Sequence, residues 1–527
     1  MTRFSILVAD PLGDEGLAVL REAGQVTVRT GMDEDALRDA LAGHDALVVR
    51  SATQVTARAL EGADRLAVIG RAGIGVDNID LAAATQRGIV VMNTPQAGAT
   101  TTAEHAIALL VSLARHVPAA DASMHAGRWD KKAYTGVELS GKIFGVVGLG
   151  TIGRLVAERG LGLAMTVLAY DPFVTQDRAP AGVRLVDLDE LCQQSDFVSI
   201  HVPLIDETRH LFDATRFATM KRGARLVHAA RGGIVDEVAL GDALRSGQLA
   251  GAALDVYEQE PLPAEHPLRA VPNLVMTPHL GASTAEAQRG VARDLAQQVV
   301  TALVRGIVLN GVNVPRIAPN EAAALAPFLG LVQHLARFLV ALHPGRLESL
   351  RLTLQGGLAQ SAPRVLTVAA LSAALRQATA EPATPVNAEQ IAARLGLRVH
   401  CEASTMKRDF MNLLRVEAVI DGQRHWVSGT VLGHRHGRLI ELDGRTLDAI
   451  PEPPLLVTQH RDAPGVLGTI GTVLGGLGIN IERMQLAAAT PDGGPAVGIW
   501  NLDRALDAGA LARLAELEPI VAAIQID

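Results

Sequence analysis

The stretch IFGVVGLGTIGRLVAERG, Ile143 to Gly160, decides how the rest of the chain reads. An apolar, β-prone run ends at Gly148, the turn GLGTIG spans Gly148 to Gly153, and RLVAERG continues as a helix. Gly148, Gly150 and Gly153 permit a tight turn with Thr151 and Ile152 at the helix start. Backbone N–H groups there can approach a pyrophosphate, and a helix N-terminus favours that negative charge. A glycine turn between strand and helix is common by itself. Here the next strand ends in AYDP, and Asp171 stands 18 residues beyond Gly153, where an acidic side chain hydrogen-bonds the adenosine ribose of a dinucleotide. A 2′-phosphate would meet like charge at that position, so the pattern favours NAD over NADP.

Outward from this unit, short β-branched runs alternate with Ala/Leu-rich helical stretches through roughly the first three hundred residues, the signature of parallel sheets covered by helices. SILVAD, VTVRT, ALVVRS, LAVIGRAG and IVVMN form a first series, ending at Asn93, and a long apolar helix is expected over Thr101 to His116. IFGVVG, TVLAYD, FVSIHV, RLVHAA, AALDV and NLVMTP form a second, followed by a helix over Ser283 to Gly306. The expected fold is α/β: two doubly wound parallel-sheet domains, Rossmann- or flavodoxin-like, with a cleft between them and ligands outside the carboxyl ends of the strands. Past NGVNVP, Asn310 to Pro315, the pattern turns to Ala-rich helices and glycine-containing strands, an α+β domain. From 455 onward a strand, the turn DAPGVLG, a helix, two strands and a helix give a ferredoxin-like βαββα core.

Composition narrows the function. The 527 residues suit three or four domains at ~150 residues each. A net charge of −8, without a basic stripe and interleaved aromatics, argues against nucleic acid as the main partner. Cys192 and Cys401 lie far apart without metal-type spacing and read as thiols in a reducing compartment. MTRFSILVAD reaches Asp10 before an apolar signal region forms, and no run approaches the ~20 apolar residues of a membrane span. A cytoplasmic location follows as the expectation.

The chemistry sits at the strand exits. RLVH is followed by ARGGIVDE, which places Arg231 at the end of a buried strand; Asp255 with Glu258 and Glu260, and Pro278-His279, follow at the next two exits, and His201 precedes them. A dehydrogenase acting on a 2-hydroxy acid needs a cation for the carboxylate, a base for the hydroxyl proton and a group that tunes the base. Arginine offers a planar two-pronged match to a carboxylate. Histidine titrates near neutrality, and a carboxylate beside it favours imidazolium. Arg231, Glu260 and His279 together fit one reaction, whereas each alone fits a surface charge, a helix cap or a buried ring. A zinc site from His201, Glu260 and His279 fits poorly, having no HxxxH-type pair and no fourth ligand; no metal is expected.

GLGTIG, YDP, HVPL, ARGGIVDE, DVYEQEP and PHLGAST together resemble the D-isomer-specific 2-hydroxyacid dehydrogenase family, over about residues 4 to 312. RSATQVT, GRAGIGVDNID and MNTP narrow the resemblance to members that use NAD to oxidise 3-phosphoglycerate, the first step of phosphorylated serine synthesis. The resemblance implies a substrate-binding catalytic arginine at Arg231, a tuning carboxylate at Glu260 and a proton acceptor at His279. It places NAD contacts on Thr151, Ile152, Asp171, Ala229, Ala230, Asp255 and Gly281, beside the glycine turn. It also divides the chain into a substrate-binding domain, 1–97 with 283–312, an NAD-binding domain, 98–282, an intervening domain, 313–452, and an ACT domain, 453–527. A homo-oligomer, dimer or tetramer, is expected. Arg50, Ser51, Gly73 and Ile74 lie at exits of the first series and suit the phosphate. Lys131 stands where the family often has an arginine that reaches a neighbouring subunit's site; Ile74 and Val202 replace hydroxyl residues of some relatives.

Beyond the catalytic part, PVNAEQIAARLGL and the segment Val427 to Pro451 resemble the intervening domain of long relatives, with Arg438 and Arg445 as candidate anion ligands beside the reading of a structural spacer. Gln459 to Leu486 resembles the ligand-binding half of an ACT domain. The resemblance implies an effector site for L-serine built from His460, Asp462 and Asn480, with Gly465 admitting the ligand to the backbone. A glyoxylate or hydroxypyruvate reductase of the same family is a second reading. An NADH-sensing binding protein is a third, opposed by the intact Arg231, Glu260 and His279 set.

Overall fold

The computed structural model describes residues 4–315, 317, 319–360, 363–379, 381–406, 410–433, 435–489 and 494–526. Its chain forms two compact units, Met1–Ala72 with Val76–Asn93 and Leu295–Asp527, and Gly73–Gly75 with Thr94–Asp294. The division falls inside the helix Ala285–Arg305.

The first unit carries three sheets. Strands β1 (Phe4–Val8), β2 (Gly24–Val28), β3 (Ala46–Val49), β4 (Val68–Arg71) and β5 (Val90–Met92) form a parallel sheet in the order β2-β1-β3-β4-β5. This is a doubly wound, flavodoxin-like order, and its inner strands are continuous apolar runs because helices cover both faces: Ile6, Leu7, Val8, Leu47 and Val49 are fully buried.

The second unit holds β6 (Ile143–Val147), β7 (Thr166–Tyr170), β8 (Val183–Leu185), β9 (Phe197–Ile200), β10 (Ala224–His228), β11 (Leu249–Leu254) and β12 (Leu274–Met276). All pair in parallel, in the order β12-β11-β10-β9-β6-β7-β8, with β6 at the reversal of direction. The sequence pattern gave six of these strands and missed β8, a three-residue edge strand, VRL, with an exposed arginine at its centre. The helix expected over Thr101 to His116 spans Ala99–Arg115 and stops because His116 adopts a left-handed conformation, φ 54°. Pro118 then opens a second helix, Val117–His125.

Back in the first unit, β13 (Leu347–Gly356), β14 (Arg398–Ser404), β15 (Asn412–Ile420), β16 (Gln423–Leu432), β17 (His436–Leu442) and β18 (Arg445–Ala449) form a mixed sheet, order β14-β13-β15-β16-β17-β18. Only β13 and β14 run parallel. β19 (Leu455–His460), β20 (Ile481–Ala487), β21 (Ala496–Leu502) and β22 (Ile520–Ile526) form an antiparallel sheet, order β20-β21-β19-β22. With the helices Val466–Gly476 and Ala508–Ala515 this is a ferredoxin-like βαββαβ unit, its sixth element being β22.

The last two sheets share a core. Leu335, Phe338 and Leu339 of the helix Pro319–Leu342, Leu414 and Val416 of β15, and Val457, Ile499 and Ile526 of the last sheet belong to one buried cluster. That helix corrects one expectation: among the described residues, Glu321–Leu342 is long and apolar enough to cross a membrane. Its apolar side chains are instead spent on this shared core.

Candidate active site

In a parallel sheet every strand exits at the same edge, so loops far apart in sequence become neighbours. β12, β11 and β10 are adjacent, and their exits carry His279, Glu260 and Arg231 respectively. The exits of β6 and β9, also adjacent, carry the glycine turn and His201.

The glycine turn has the shape of a phosphate cradle. Gly148 adopts φ 92°, and a Cβ there would lie 2.6 Å from the His201 carbonyl oxygen; a Cβ on Gly153 would lie 1.9 Å from the Gly148 carbonyl oxygen. Gly150 faces open space and caps the helix Thr151–Gly162 without a side-chain hydrogen bond. The N–H groups of the first helical turn are left to a ligand. Asp171 braces the turn: one carboxylate oxygen accepts the Leu149 N–H at 2.8 Å and the other the Phe173 N–H at 2.9 Å. These residues fit a dinucleotide.

His279 Nδ1 lies 2.6 Å from Glu260 Oε2, and the Tyr257 N–H donates to Glu260 Oε1 at 3.0 Å. Partial burial pushes the Glu260 carboxyl up, but the His279 hydrogen bond, the Tyr257 N–H and the charges of His279 and Arg231 outweigh it and hold the group below the usual carboxylate range. A carboxylate on Nδ1 fixes the ring and leaves Nε2 to exchange a proton. The sequence ARGGIVDE is explained by the approach of two loops. A Cβ on Gly232 would sit 1.8 Å from the Tyr257 carbonyl oxygen, so only glycine lets the Arg231 loop lie against the loop that carries Glu260. The Glu237 carboxylate, at the motif's end, accepts the Glu258 N–H at 2.8 Å.

Several positioning residues were not legible as such. Asp255, 1% exposed, accepts the Leu280 and Gly281 N–H groups, both at 2.8 Å, and the Thr277 hydroxyl at 2.6 Å. His105 Nε2 lies 3.1 Å from the same carboxylate. Burial pushes Asp255 up, but these donors pull its carboxyl below the ordinary value, so it is a charged anchor for the turn that holds His279 at φ 55°. His228 Nε2 lies 2.8 Å from the Arg231 carbonyl oxygen and pins that backbone. Burial pushes its imidazole down to about 4, so it stays neutral and donates from Nε2. In the first unit the buried Asp10 plays a similar part, accepting the Arg50 N–H at 2.6 Å and the Thr53 hydroxyl at 2.8 Å.

Arg231, Glu260, His279, Ala229, Ala230, Asp255, Gly281, Asp171, the glycine turn, Gly73, Ile74 and Lys131 all belong to the second unit, whereas Arg50 and Ser51 belong to the first. Gly73 adopts φ 149° and donates to Thr94 Oγ1 at 3.0 Å; Lys131 is exposed in a short 3-10 turn. Arg438 and Arg445 are already engaged, by Asp448 at 3.2 Å and by the Pro495 carbonyl oxygen at 2.9 Å. In the last sheet His460 is buried beside the Thr458 hydroxyl, while Asp462 and Asn480 are exposed, Asp462 accepting the Ala489 N–H at 3.3 Å.

A glycine cradle at the switch point of a parallel sheet, with a histidine–carboxylate pair and an arginine at neighbouring exits, defines a nicotinamide-dependent dehydrogenase. Residues 107–281 match the model of the D-isomer specific 2-hydroxyacid dehydrogenase NAD binding domain, and residues 324–443 match the D-3-phosphoglycerate dehydrogenase intervening domain. The chain is 40% identical to a D-3-phosphoglycerate dehydrogenase of Synechocystis sp., over 98% of its own length and 94% of that protein's. It is 38% identical to one from Methanocaldococcus jannaschii, over 98% of each. A glyoxylate reductase structure from Paecilomyes thermophila superposes with a TM-score of 0.56 at 30% identity, covering 59% of this chain and 99% of that one. The chain belongs to the D-isomer specific 2-hydroxyacid dehydrogenase family, on its D-3-phosphoglycerate dehydrogenase branch. It is an NAD-dependent dehydrogenase acting on a small molecule.

Proposed function

We propose that the chain oxidises 3-phospho-D-glycerate to 3-phosphohydroxypyruvate with NAD, the first step of phosphorylated L-serine synthesis. The observation that carries this reading is the His279–Glu260 pair, 2.6 Å apart, at the exit next to that of Arg231. The Arg231 guanidinium grips the substrate carboxylate with two parallel hydrogen bonds and polarises the carbon that becomes a carbonyl. His279 Nε2 takes the hydroxyl proton, and Glu260, held ionised by its donors, stabilises the imidazolium that forms. Bound NAD supplies the hydride acceptor. Gly148, Gly150, Thr151, Ile152 and Gly153 would hold its pyrophosphate, Asp171 its ribose, and Ala229, Ala230, Asp255 and Gly281 would complete the NAD site. Arg50, Ser51, Gly73, Ile74 and Lys131 serve the rest of the substrate, chiefly its phosphate.

The division into substrate-binding (1–97, 283–312), NAD-binding (98–282), intervening (313–452) and ACT (453–527) domains is part of this reading, as is a cytoplasmic homo-oligomer. So is inhibition by L-serine through His460, Asp462 and Asn480: Asp462 suits the ammonium, Asn480 both ends, and the helix beyond Gly465 the carboxylate. Activity titrated with L-serine tests the effector site. Wild type is inhibited, and Asn480→Ala and a chain ending near Pro454 are not, with the uninhibited kcat of Asn480→Ala unchanged. Equal inhibition of all three, or none of the wild type, removes serine from this site.

A further inference from the structure

We propose that His343, His425 and Asp443 form a site for a divalent transition metal of the zinc class, in the sheet built from β13 to β18. The three residues come from three elements: His343 follows the helix Pro319–Leu342, His425 lies in β16, and Asp443 lies in the turn between β17 and β18. Asp443 is fixed before any ion arrives. Its backbone adopts φ 45°, its N–H donates to the Trp426 carbonyl oxygen at 3.0 Å, and its Oδ1 accepts the Trp426 N–H at 2.7 Å. Oδ2 is thereby turned to the two histidines, 3.3 Å from His425 Nδ1 and 3.4 Å from His343 Nε2. Two donors of a tetrahedral ion with bonds of about 2.0–2.1 Å stand about 3.3–3.4 Å apart, which is the spacing of both pairs. All three donor atoms lie within 4.8 Å of one another.

A second observation concerns His343. Its Nε2 is buried and makes no aligned hydrogen bond, although the side chain as a whole keeps 18% of its surface exposed. A buried ring nitrogen whose approach to Asp443 Oδ2, at 3.4 Å, is out of hydrogen-bond alignment is under-satisfied, and a metal held between the two would satisfy it. Imidazole and carboxylate are a donor set for zinc and its neighbours, and three protein ligands leave a fourth position for solvent. In the present geometry the two rings stack, with centroids 3.5 Å apart and planes 14° apart. An ion lies in the plane of each imidazole that binds it, so loading opens the stack while the carboxylate stays where Trp426 holds it. Once bound, the ion ties the helix end, a central strand and the hairpin turn together, and its binding energy adds to folding energy.

The test uses chelator-treated full-length protein. Zn²⁺ binding is followed by calorimetry, and Co²⁺ is used as the visible-absorption probe of tetrahedral coordination. The result expected is one tight equivalent in wild type and in His279→Ala, which controls for binding at the dehydrogenase site, and a rise in melting temperature on adding Zn²⁺. Asp443→Asn, which keeps an acceptor for the Trp426 N–H, and His343→Gln should each lose the Co²⁺ spectrum and weaken binding by about tenfold or more, a change of one decade in Kd. NADH formation without added metal should be unchanged in both. Absence of saturable binding in wild type overturns the proposal, as does wild-type binding by both folded variants.

Discussion

His279 and Glu260 are joined by a 2.6 Å contact between Nδ1 and Oε2, although 19 positions separate them and they leave different strands. The contact decides which ring nitrogen can act. With Nδ1 held by a carboxylate, Nε2 is the nitrogen left to exchange a proton.

Removing the base should stop chemistry and spare binding. His279→Ala is expected to lower kcat by ~10²–10⁴-fold, while NAD affinity measured by fluorescence stays near wild type. Glu260→Gln should also lower kcat, because the imidazolium loses its ionised neighbour. Near wild-type turnover in His279→Ala would assign the proton transfer elsewhere.

At Arg231 charge alone should not suffice. Arg231→Lys keeps the cation and loses the planar fork, so kcat/KM should fall steeply. Little loss in this variant would mean that the carboxylate is not gripped by two parallel bonds.

Asp171→Ala should weaken NAD and narrow its advantage over NADP, since a group repelling the 2′-phosphate is gone. The variant also loses the brace on Leu149 and Phe173, so NAD binding should fall by more than a single ribose contact explains. Equal use of both cofactors by the unmodified chain would contradict the role given to Asp171.

Acid should destabilise the NAD-binding unit through His228. Burial pushes its imidazole from the ordinary 6.5 to about 4 in the folded chain. Between these values the unfolded chain takes up a proton that the folded chain refuses. Stability therefore falls as pH drops from about 6.5 to about 4, by at most about 1.4 kcal/mol per pH unit. His228→Asn keeps a donor for the Arg231 carbonyl and removes the titration. Denaturant melts across this range should show a shallower pH dependence in the variant; identical slopes would exclude His228 as a source.

How much of this was legible in the sequence varies with the range of the contact. The parallel strands read clearly because burial on both faces makes them unbroken apolar runs; β8, three residues long with a central arginine, gave no such run. Arg231, Glu260 and His279 read as a set because a parallel sheet delivers its exits to one edge. The support beneath them did not. His105 lies on a helix 150 residues before Asp255, and only packing brings its ring to 3.1 Å from that carboxylate. Asp255 read as a cofactor contact, and its anchoring of Leu280 and Gly281 emerges only from the turn's geometry. His343, His425 and Asp443 stand 82 and 18 positions apart, a spacing that matches no metal motif.

The most direct measurement is NADH formation from NAD and 3-phosphoglycerate by the purified full-length chain, alongside reduction of glyoxylate and hydroxypyruvate by NADH. Turnover of 3-phosphoglycerate, lost in His279→Ala and in Arg231→Lys, is the result expected. No NADH from 3-phosphoglycerate, with glyoxylate or hydroxypyruvate reduced efficiently, would contradict the proposed substrate and make the chain a reductase of the same family.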